Sequence, residues 1–293
     1  MNRNYDKSLY ILTVIIIFLG ILVSSIGLFY TTDGRPYDMV NQFGDTVKIY
    51  GDGLYAYDSH FYAPVFRGAD LTILFVAIPL LVASLILDLK KRTLRNRLLL
   101  LSGISILAYH AASIAFGTVY NILHLAYILF FSASFFGFIL ALASIDKKQL
   151  IASISNSLTN KGMNIFLAIT GIALIAAWIP DIINSIFVGR PPMGIDIYNT
   201  SVTNILDIGI IGPATLLSIF FIKRGNGMGY ALASMLLSLC VYIGVMVVSQ
   251  TIFQVWAGIE LPLPVLITKA ASFVILSVFA LYFDIKLFKS IQV

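Results

Sequence analysis

The sequence "LLLLSGISILAYHAASIAFGTVYNILHLAYILFFSASFFGFILALASI", residues 98–145, contains no aspartate, glutamate, lysine or arginine. A helix that crosses a bilayer needs about 20 mostly apolar residues, because each residue rises about 1.5 Å. This stretch is too long for one such helix, and the "GTVYN" within it has the glycine and asparagine of a turn. It therefore predicts two antiparallel membrane-spanning helices, Leu98–Gly117 and Ile122–Ile145.

The rest of the chain repeats this pattern. Of its 293 residues, 59% are apolar and 11% are charged, whereas a soluble domain has about 25% charged residues. Six further segments are long and apolar enough to cross a bilayer: Leu9–Tyr30, Leu71–Leu87, Met163–Ile183, Ile205–Ile222, Tyr230–Ser249 and Leu263–Phe283. The sequence predicts an all-α membrane protein, an eight-transmembrane-helix bundle that forms one integral membrane domain over residues 1–293.

The first of these segments follows Arg3 and Lys7, as the apolar region of a signal peptide would. It exceeds the usual length of such a region, and it lacks a small-residue cleavage site. We expect it to be retained as the first span.

The distribution of positive charge predicts the orientation. Most of the 19 lysines and arginines fall in the segments that are cytoplasmic when the N-terminus is inside, including "LKKRTLRNR" at 89–97. Outer segments hold only Arg35, Lys48, Arg67 and Arg190. This asymmetry follows the positive-inside rule. It predicts a multi-pass protein of the cell (plasma) membrane with cytoplasmic N- and C-termini, and it explains the basic pI without nucleic acid.

Residues 31–69 form the one long connection, on the outer side. Within it, "TVKIYGDGLYAYD" at 46–58 alternates on both sides of Gly51-Asp52-Gly53, a pattern typical of a β-hairpin. The sequence predicts that this extracytoplasmic β-hairpin loop caps the bundle. The aspartates of the loop fit no calcium-binding spacing, and solvated loop charge is the favoured interpretation.

Two halves of the chain share a pattern. "GADLTILFVAIPLL" at 68–81 and "NILDIGIIGPATLL" at 204–217 each contain an aspartate, then a proline, then two leucines. The interval from aspartate to proline is nine residues in the first and six in the second. Either the protein consists of two parallel four-helix repeats, a layout known in transporters, or proline kinks arose in both halves independently. Pro79 and Pro213 should kink their helices.

Ionisable residues inside the apolar segments are the candidate site. They fall at mid-depth or towards the outer ends, and with neighbouring polar residues they give the set Lys269, Asp207, Asp70, His124, His110, Tyr109 and Asn204. Charges in membrane helices usually face the bundle interior and mark a site or pathway. Lys269 could pair with Asp207, or with Asp70, at the floor of an outward-facing polar pocket. Alternatively, its long side chain reaches up to the outer headgroups.

The histidines favour packing over metal binding. His110 and His124 lie on adjacent antiparallel helices at depths that differ by about 9 Å, which is awkward for a shared metal or haem. Ser102, Ser105, Tyr109 and Ser113 form one helix face of the kind that joins membrane helices. The only cysteine, Cys240, excludes disulfides and cysteine metal clusters within the chain. We expect no cofactor and no metal.

Four stretches resemble a family of uncharacterised prokaryotic polytopic integral membrane proteins: "YGDGLYAYDS", "RGADLTILFVAIPLL", "AFGTVYNILHLAYILFFS" and "LDIGIIGPATLL". The resemblance covers residues 47–145 and 204–220, about 40% of the chain. It places Gly51, Gly53, Asp70, Pro79, Asn121, Asp207 and Pro213 in the shared pattern, and it sets His110 and His124 outside that pattern. It implies a membrane bundle and no established activity.

These observations favour a carrier or solute-binding membrane protein. Lys269 would hold an anionic group, while Asp207 and Asp70 would respond to protons or cations. The alternatives are an enzyme that acts on a lipid or lipid-linked substrate at the outer leaflet, with His124, His110 or Asp70 as acid or base, and a non-catalytic accessory or assembly subunit. The expected partners are the lipid bilayer and a small-molecule solute or lipid, with no nucleic acid; whether the chain is an enzyme and which proteins it binds stay open.

Overall fold

The computed structural model of the chain describes residues 6–154, 160–192 and 194–292, apart from the side chains of residues 265, 266, 268 and 269. Helices account for most of this part. Seven of them are long and apolar enough to cross a membrane. They are α1 (Asp6–Phe29), α2 (Tyr62–Lys90), α3 (Leu94–Gly117), α4 (His124–Ser144), α6 (Asn160–Val188), α7 (Val202–Lys223) and α8 (Gly227–Trp256). The protein is therefore a multi-pass α-helical membrane protein, and the predicted fold class is confirmed at this level.

Two further helical segments complete the bundle. The short α5, Lys147–Ser153, connects α4 to α6. The last predicted span begins with the helical turn Leu263–Val265, continues through the π-helix Leu266–Ala271, and ends in α9, Ser272–Ser290. This region forms one helical path from residue 263 to residue 290.

Side-chain caps fix the first residues of two of the helices. Thr93 accepts a hydrogen bond from the backbone N–H of Asn96 at the start of α3, and Asn226 accepts one from Met228 at the start of α8. Such side-chain caps satisfy the N–H groups that a first helical turn leaves free. Helix α2 begins at Tyr62, nine residues before the predicted Leu71, and Ala63, Pro64 and Gly68 in its first turns are buried within the protein.

Helices α3 and α8 form the centre of the bundle. Helix α8 packs against α2, α3, α7 and α9, while α1 packs against α2 and α4. Helix α3 is the most buried of the seven, and α6 is the least. Large apolar side chains such as Phe18, Ile186 and Phe187 lie on the outside, as expected where the surrounding solvent is lipid.

Two of the helices pass through a π-helical segment immediately before a proline. These segments are Ile73–Ala77 and Asp207–Ile211, and each ends two residues before its proline, Pro79 or Pro213. A proline ring clashes with the carbonyl four residues earlier in a regular α-helix, and the wider π-turn relieves that clash. The predicted proline distortions are therefore present as π-turns. The segment Leu266–Ala271 is a third π-helix.

The β-structure differs from the predicted hairpin. Strand β1 (Tyr37–Val40) pairs antiparallel with β2 (Thr46–Ile49), so the turn lies at residues 41–45. Asn41 closes this turn, because its side-chain oxygen accepts hydrogen bonds from the backbone N–H groups of Phe43 and Asp45, at 2.9 Å each. We refer to the end of the bundle that carries this pair of strands as the sheet end.

The predicted hairpin around Gly51-Asp52-Gly53 is present only as an isolated antiparallel bridge between Ile49 and Ser59, and not as a second pair of strands. The backbone N–H of Tyr50 donates to the carbonyl of Asp58 at 2.9 Å across this bridge. Both glycines have positive φ angles, +83° and +62°, and residues 51–57 close into a compact loop. The glycines therefore form a turn, and the main partner of the strand 46–49 is β1, which lies before that turn.

A buried ion network closes the opposite end of the bundle. Arg97 is fully buried, and its guanidinium lies 2.8 Å from Asp6 and 2.9 Å from Asp88. It also donates to Ser144 at 3.0 Å, while the hydroxyl of Tyr10 donates to Asp88 at 2.9 Å. The network joins α1, α2, α3 and α4. We call these residues the Arg97 cluster.

We expect Arg97→Ala to lower the free energy of unfolding by about 3–5 kcal/mol, because it leaves the buried carboxylate of Asp88 without its counter-charge and removes one of the two that Asp6 has. The matched control is Arg92→Ala. Arg92 also pairs with Asp6, at 2.9 Å, but its side chain is 45% exposed, so its removal should change stability by less than about 1 kcal/mol. Thermal unfolding of the purified protein in detergent compares the two, and equal effects would contradict the role assigned to burial.

Candidate functional site

A cavity of about 370 Å³ lies inside the bundle at the sheet end. Helices α2, α3, α6, α7 and α8 surround it, and its polar lining includes Asp207, Tyr109, His110, Asn204, Trp178 and Gln250. Four of the seven residues in the predicted site set therefore border one enclosed space. Aromatic side chains such as Tyr62 and Phe66 contribute much of the remaining wall. A largely apolar cavity with a few polar groups is the usual form of a small-molecule site.

Asp207 is the central polar group of this cavity. It is 3% exposed, and it occupies the first position of the π-helical segment in α7. The hydroxyl of Tyr109 donates to its Oδ1 at 3.0 Å, and the indole N–H of Trp178 donates to its Oδ2 at 3.0 Å. Both donors are neutral. The carboxyl group is thus held in a fixed orientation by hydrogen bonds from α3 and α6.

Asn204 lies almost one helical turn before Asp207 and also faces the cavity. Its side-chain oxygen is buried and has no hydrogen-bond partner among the described residues. A buried acceptor without a donor is costly, by about 1–3 kcal/mol. A donor from a bound molecule would remove that cost.

Asp70 lies behind the cavity wall. It is fully buried, and the hydroxyl of Tyr55 donates to its Oδ2 at 2.7 Å. On the other side, its Oδ1 faces the Nε2 of His110 at 3.9 Å. Gly27 of α1 packs against this carboxyl so closely that a Cβ at that position would overlap it. His110 therefore stands between the cavity and the Asp70 carboxyl.

The structure does not bring His124 to the cavity. His124 begins α4 and is half-buried, and its ring lies 5.0 Å from the ring of Tyr120. The side chain of Lys269 lies outside the described part of the structure, and so does its predicted pairing with Asp207 or Asp70. The backbone of Lys269 belongs to the π-helix Leu266–Ala271, and the adjacent Ala270 lines the cavity.

A loop between α6 and α7 covers the cavity at the sheet end. We call residues 189–192 and 194–201 the cover. The side chain of Asn41, in the turn between the strands, donates to the carbonyl of Asp196 at 2.7 Å. Arg190 pairs with Asp45 at 2.7 Å, and both side chains are more than half exposed. The cover is thus attached to the turn between β1 and β2.

Asp58 anchors the cover from beneath. It is 1% exposed, and its Oδ1 accepts hydrogen bonds from the backbone N–H of Val119 and from the hydroxyl of Tyr198, at 2.9 Å each. Tyr198 belongs to the cover and also lines the cavity. Burial raises the pKa of Asp58 to about 7, although both hydrogen bonds act in the opposite direction. The carboxyl therefore changes charge near neutral pH.

Several of these groups have little signal in the sequence. Trp178 lies in an ordinary apolar segment, and Tyr55 is one of several tyrosines in the long loop. The predicted spans end at Leu87 and begin again at Leu98, which leaves Asp88 and Arg97 in the connection between them. Helices α2 and α3 extend further, include both residues and bury them. The available signal is the presence of acidic residues, Asp6 and Asp88, in segments otherwise dominated by lysine and arginine.

Neither metal-binding clusters nor similar proteins indicate what the function is. Within residues 6–154, 160–192 and 194–292, no group of three or more histidine, cysteine, aspartate or glutamate side chains could hold a metal ion. No protein-family model, curated protein or solved structure matches the chain. The argument about function therefore depends on the cavity itself.

The raised pKa of Asp58 makes stability dependent on pH. In the unfolded chain Asp58 has a pKa near 3.8, and in the folded protein near 7, so folding retains a proton between these values. Its contribution to stability is therefore full at low pH and falls as pH rises towards 7. We expect the protein to lose about 2 kcal/mol between pH 5 and pH 8 through this group.

Asp58→Asn should remove that part of the pH dependence, as measured by thermal unfolding in detergent at both pH values. Asp38→Asn is the control, because Asp38 lies on β1 and is exposed. A pH dependence that is the same in the wild type and in Asp58→Asn would contradict the assignment.

Proposed function

We propose that the protein is a carrier or solute-binding membrane protein and that its site is the cavity at the sheet end. The observation that carries this proposal is the Asp207 carboxyl, buried in a cavity and held by Tyr109 and Trp178. An ionisable group inside a membrane bundle lowers stability, and such groups usually mark a binding site or an ion pathway. The unpartnered oxygen of Asn204 adds a second acceptor in the same space.

The proposed mechanism assigns separate tasks to the polar groups. Asp207 and Asn204 bind donors of the solute, while Lys269, on the neighbouring π-helix, binds an anionic group or pairs with Asp207. Positive and negative groups in one cavity suit a solute that carries both kinds of group. The π-helical segments beside the cavity supply the irregular backbone that transporter sites typically contain.

A comparison of the two halves supports internal duplication. Each of the π-helical segments Ile73–Ala77 and Asp207–Ile211 begins six residues before its proline and ends two residues before it. An alignment of Pro79 with Pro213 therefore also aligns the two π-helical segments. The helices of each half also pack in the same order: α1, α2, α3 and α4 in the first half, and α6, α7, α8 and α9 in the second. We propose two parallel four-helix repeats and eight crossings, with Asp70 and Asn204 at equivalent positions.

We propose that the sheet end faces away from the cytoplasm, with the Arg97 cluster inside, in a prokaryotic plasma membrane. Labelling of single cysteines in whole cells tests this, with Cys240 replaced by serine. A membrane-impermeant maleimide should label Asp52→Cys in intact cells and should label Lys91→Cys only after the cells are opened. The reverse pattern would invert the topology.

The site is tested by thermal unfolding of the detergent-purified protein against a panel of small amines, carboxylates and zwitterions. At least one compound should raise the midpoint of the wild type by several degrees. In Asp207→Asn, the same rise in midpoint should need at least about ten times more of the compound, because the substitution removes the charge that the solute contacts. Asp38→Asn, an exposed change away from the cavity, should leave it intact.

Vesicles that contain the protein should then take up the stabilising compound. Turnover of a lipid substrate without any gradient would favour the enzyme instead. Co-purification with a partner, together with no stabilising compound, would favour an accessory subunit.

A further inference from the structure

Two buried polar atoms face each other beside the cavity. Oδ1 of Asp70 and Nε2 of His110 are 3.9 Å apart, and neither has a hydrogen-bond partner among the described residues. Asp70 is fully buried, and His110 is 2% exposed. When a neutral imidazole carries its hydrogen on Nδ1, Nε2 is an acceptor, as a carboxylate oxygen is. In that form the two atoms repel each other, and the separation of 3.9 Å is longer than a hydrogen bond.

We propose that Asp70 and His110 form a binding site for a single proton. One proton between Oδ1 and Nε2 satisfies both atoms at once, either as a carboxylic acid that donates to the ring or as an imidazolium that donates to the carboxylate. Either form requires the two atoms to approach from 3.9 Å to about 2.7–2.9 Å, the length of a charge-assisted hydrogen bond. Loss of the proton restores the separation.

The surroundings support such a site. The hydroxyl of Tyr55 donates to the second carboxyl oxygen at 2.7 Å, and Gly27 leaves the space that the carboxyl occupies. The ring of Phe130 packs edge-on against His110. The groups that act on the Asp70 carboxyl from the surrounding elements are the hydroxyl of Ser24 on α1, Arg67 on α2, Tyr127 on α4, Tyr242 on α8 and Tyr55.

The Asp70–His110 pair also borders the cavity through His110. The imidazole of His110 forms part of the cavity wall, and Asp70 does not. Movement of the ring towards Asp70 therefore changes the space next to Tyr109, which holds Asp207. Proton binding and solute binding would then be linked, and the proton would be the coupling ion. This last step rests on the proposed solute-binding function, whereas the proton site itself does not.

Nitrogen-15 NMR of ring-labelled histidine in the full-length protein tests the site without any solute. The chain has three histidines, and the variants His60→Gln and His124→Gln assign the signals. The His110 ring signal should switch between two states as pH is varied. Asp70→Asn should abolish the switch, because its amide supplies a permanent donor to Nε2. The His124 signal should be unchanged by Asp70→Asn.

A His110 signal that is constant with pH in the wild type would overturn the proposal, and so would an identical switch in Asp70→Asn. Should Asp70→Asn fail to fold, Tyr55→Phe provides the second test. It removes the hydrogen bond on the other carboxyl oxygen, so the switch should persist but move by about one pH unit. A switch that stays at the same pH would also overturn the proposal. Because no solute is added, failure of the carrier proposal leaves this result unaffected.

Discussion

A carboxyl group between membrane helices can be stabilised only by other groups of the protein, because no water surrounds it. This bundle meets that constraint in three different ways. Asp6 and Asp88 pair with the buried Arg97. Asp207 accepts hydrogen bonds from two neutral donors beside a cavity. Asp70 has one satisfied oxygen and one that faces a histidine. The three settings thus differ in the charge of the groups that the carboxylates contact.

The two ends of the bundle differ in the charge of the partners that their carboxylates have. The Arg97 cluster joins the helices of the first half through ion pairs, although Oδ1 of Asp88 and Nε of Arg97 have no hydrogen-bond partner among the described residues. Near the cavity, Asp207 accepts hydrogen bonds from neutral groups, and the side-chain oxygen of Asn204, Oδ1 of Asp70 and Nε2 of His110 lack a partner in the described part of the chain. Unpaired buried polar atoms cost stability, and the proposed solute and proton sites depend on those beside the cavity.

The sequence predicted the helices well, because apolar length alone determines which segments can cross a bilayer. It also brought Asp207, Tyr109, His110 and Asn204 into one candidate set, since polar residues in such segments are rare. It predicted the pair of strands around Gly51-Asp52-Gly53, where the structure has a single antiparallel bridge. The turn between β1 and β2 was missed because Asn41 closes it, and that role depends on side-chain geometry. It missed the Arg97 cluster, since a charge near a helix end has the same appearance in sequence whether it is buried or solvated.

The proline in each half was visible in the sequence, but the π-turns were not, because they depend on how each helix relieves the proline clash. The aspartates were a poor marker for comparing the halves, because their distance from the proline differs between the two. The prolines and π-turns keep a constant interval in both halves, whereas the aspartates fall at different positions along the helix. Backbone geometry therefore provides a better alignment than the charged residues do.

The exposed pair between Arg190 and Asp45 gives the two ends of the bundle different responses to ionic strength. Both of its side chains are more than half exposed, so dissolved electrolyte screens their attraction. The guanidinium of Arg97 has no exposed surface, and electrolyte cannot reach it. Concentrated salt should therefore weaken one attachment of the cover over the cavity, while the ion pairs of Arg97 with Asp6 and Asp88 keep their strength.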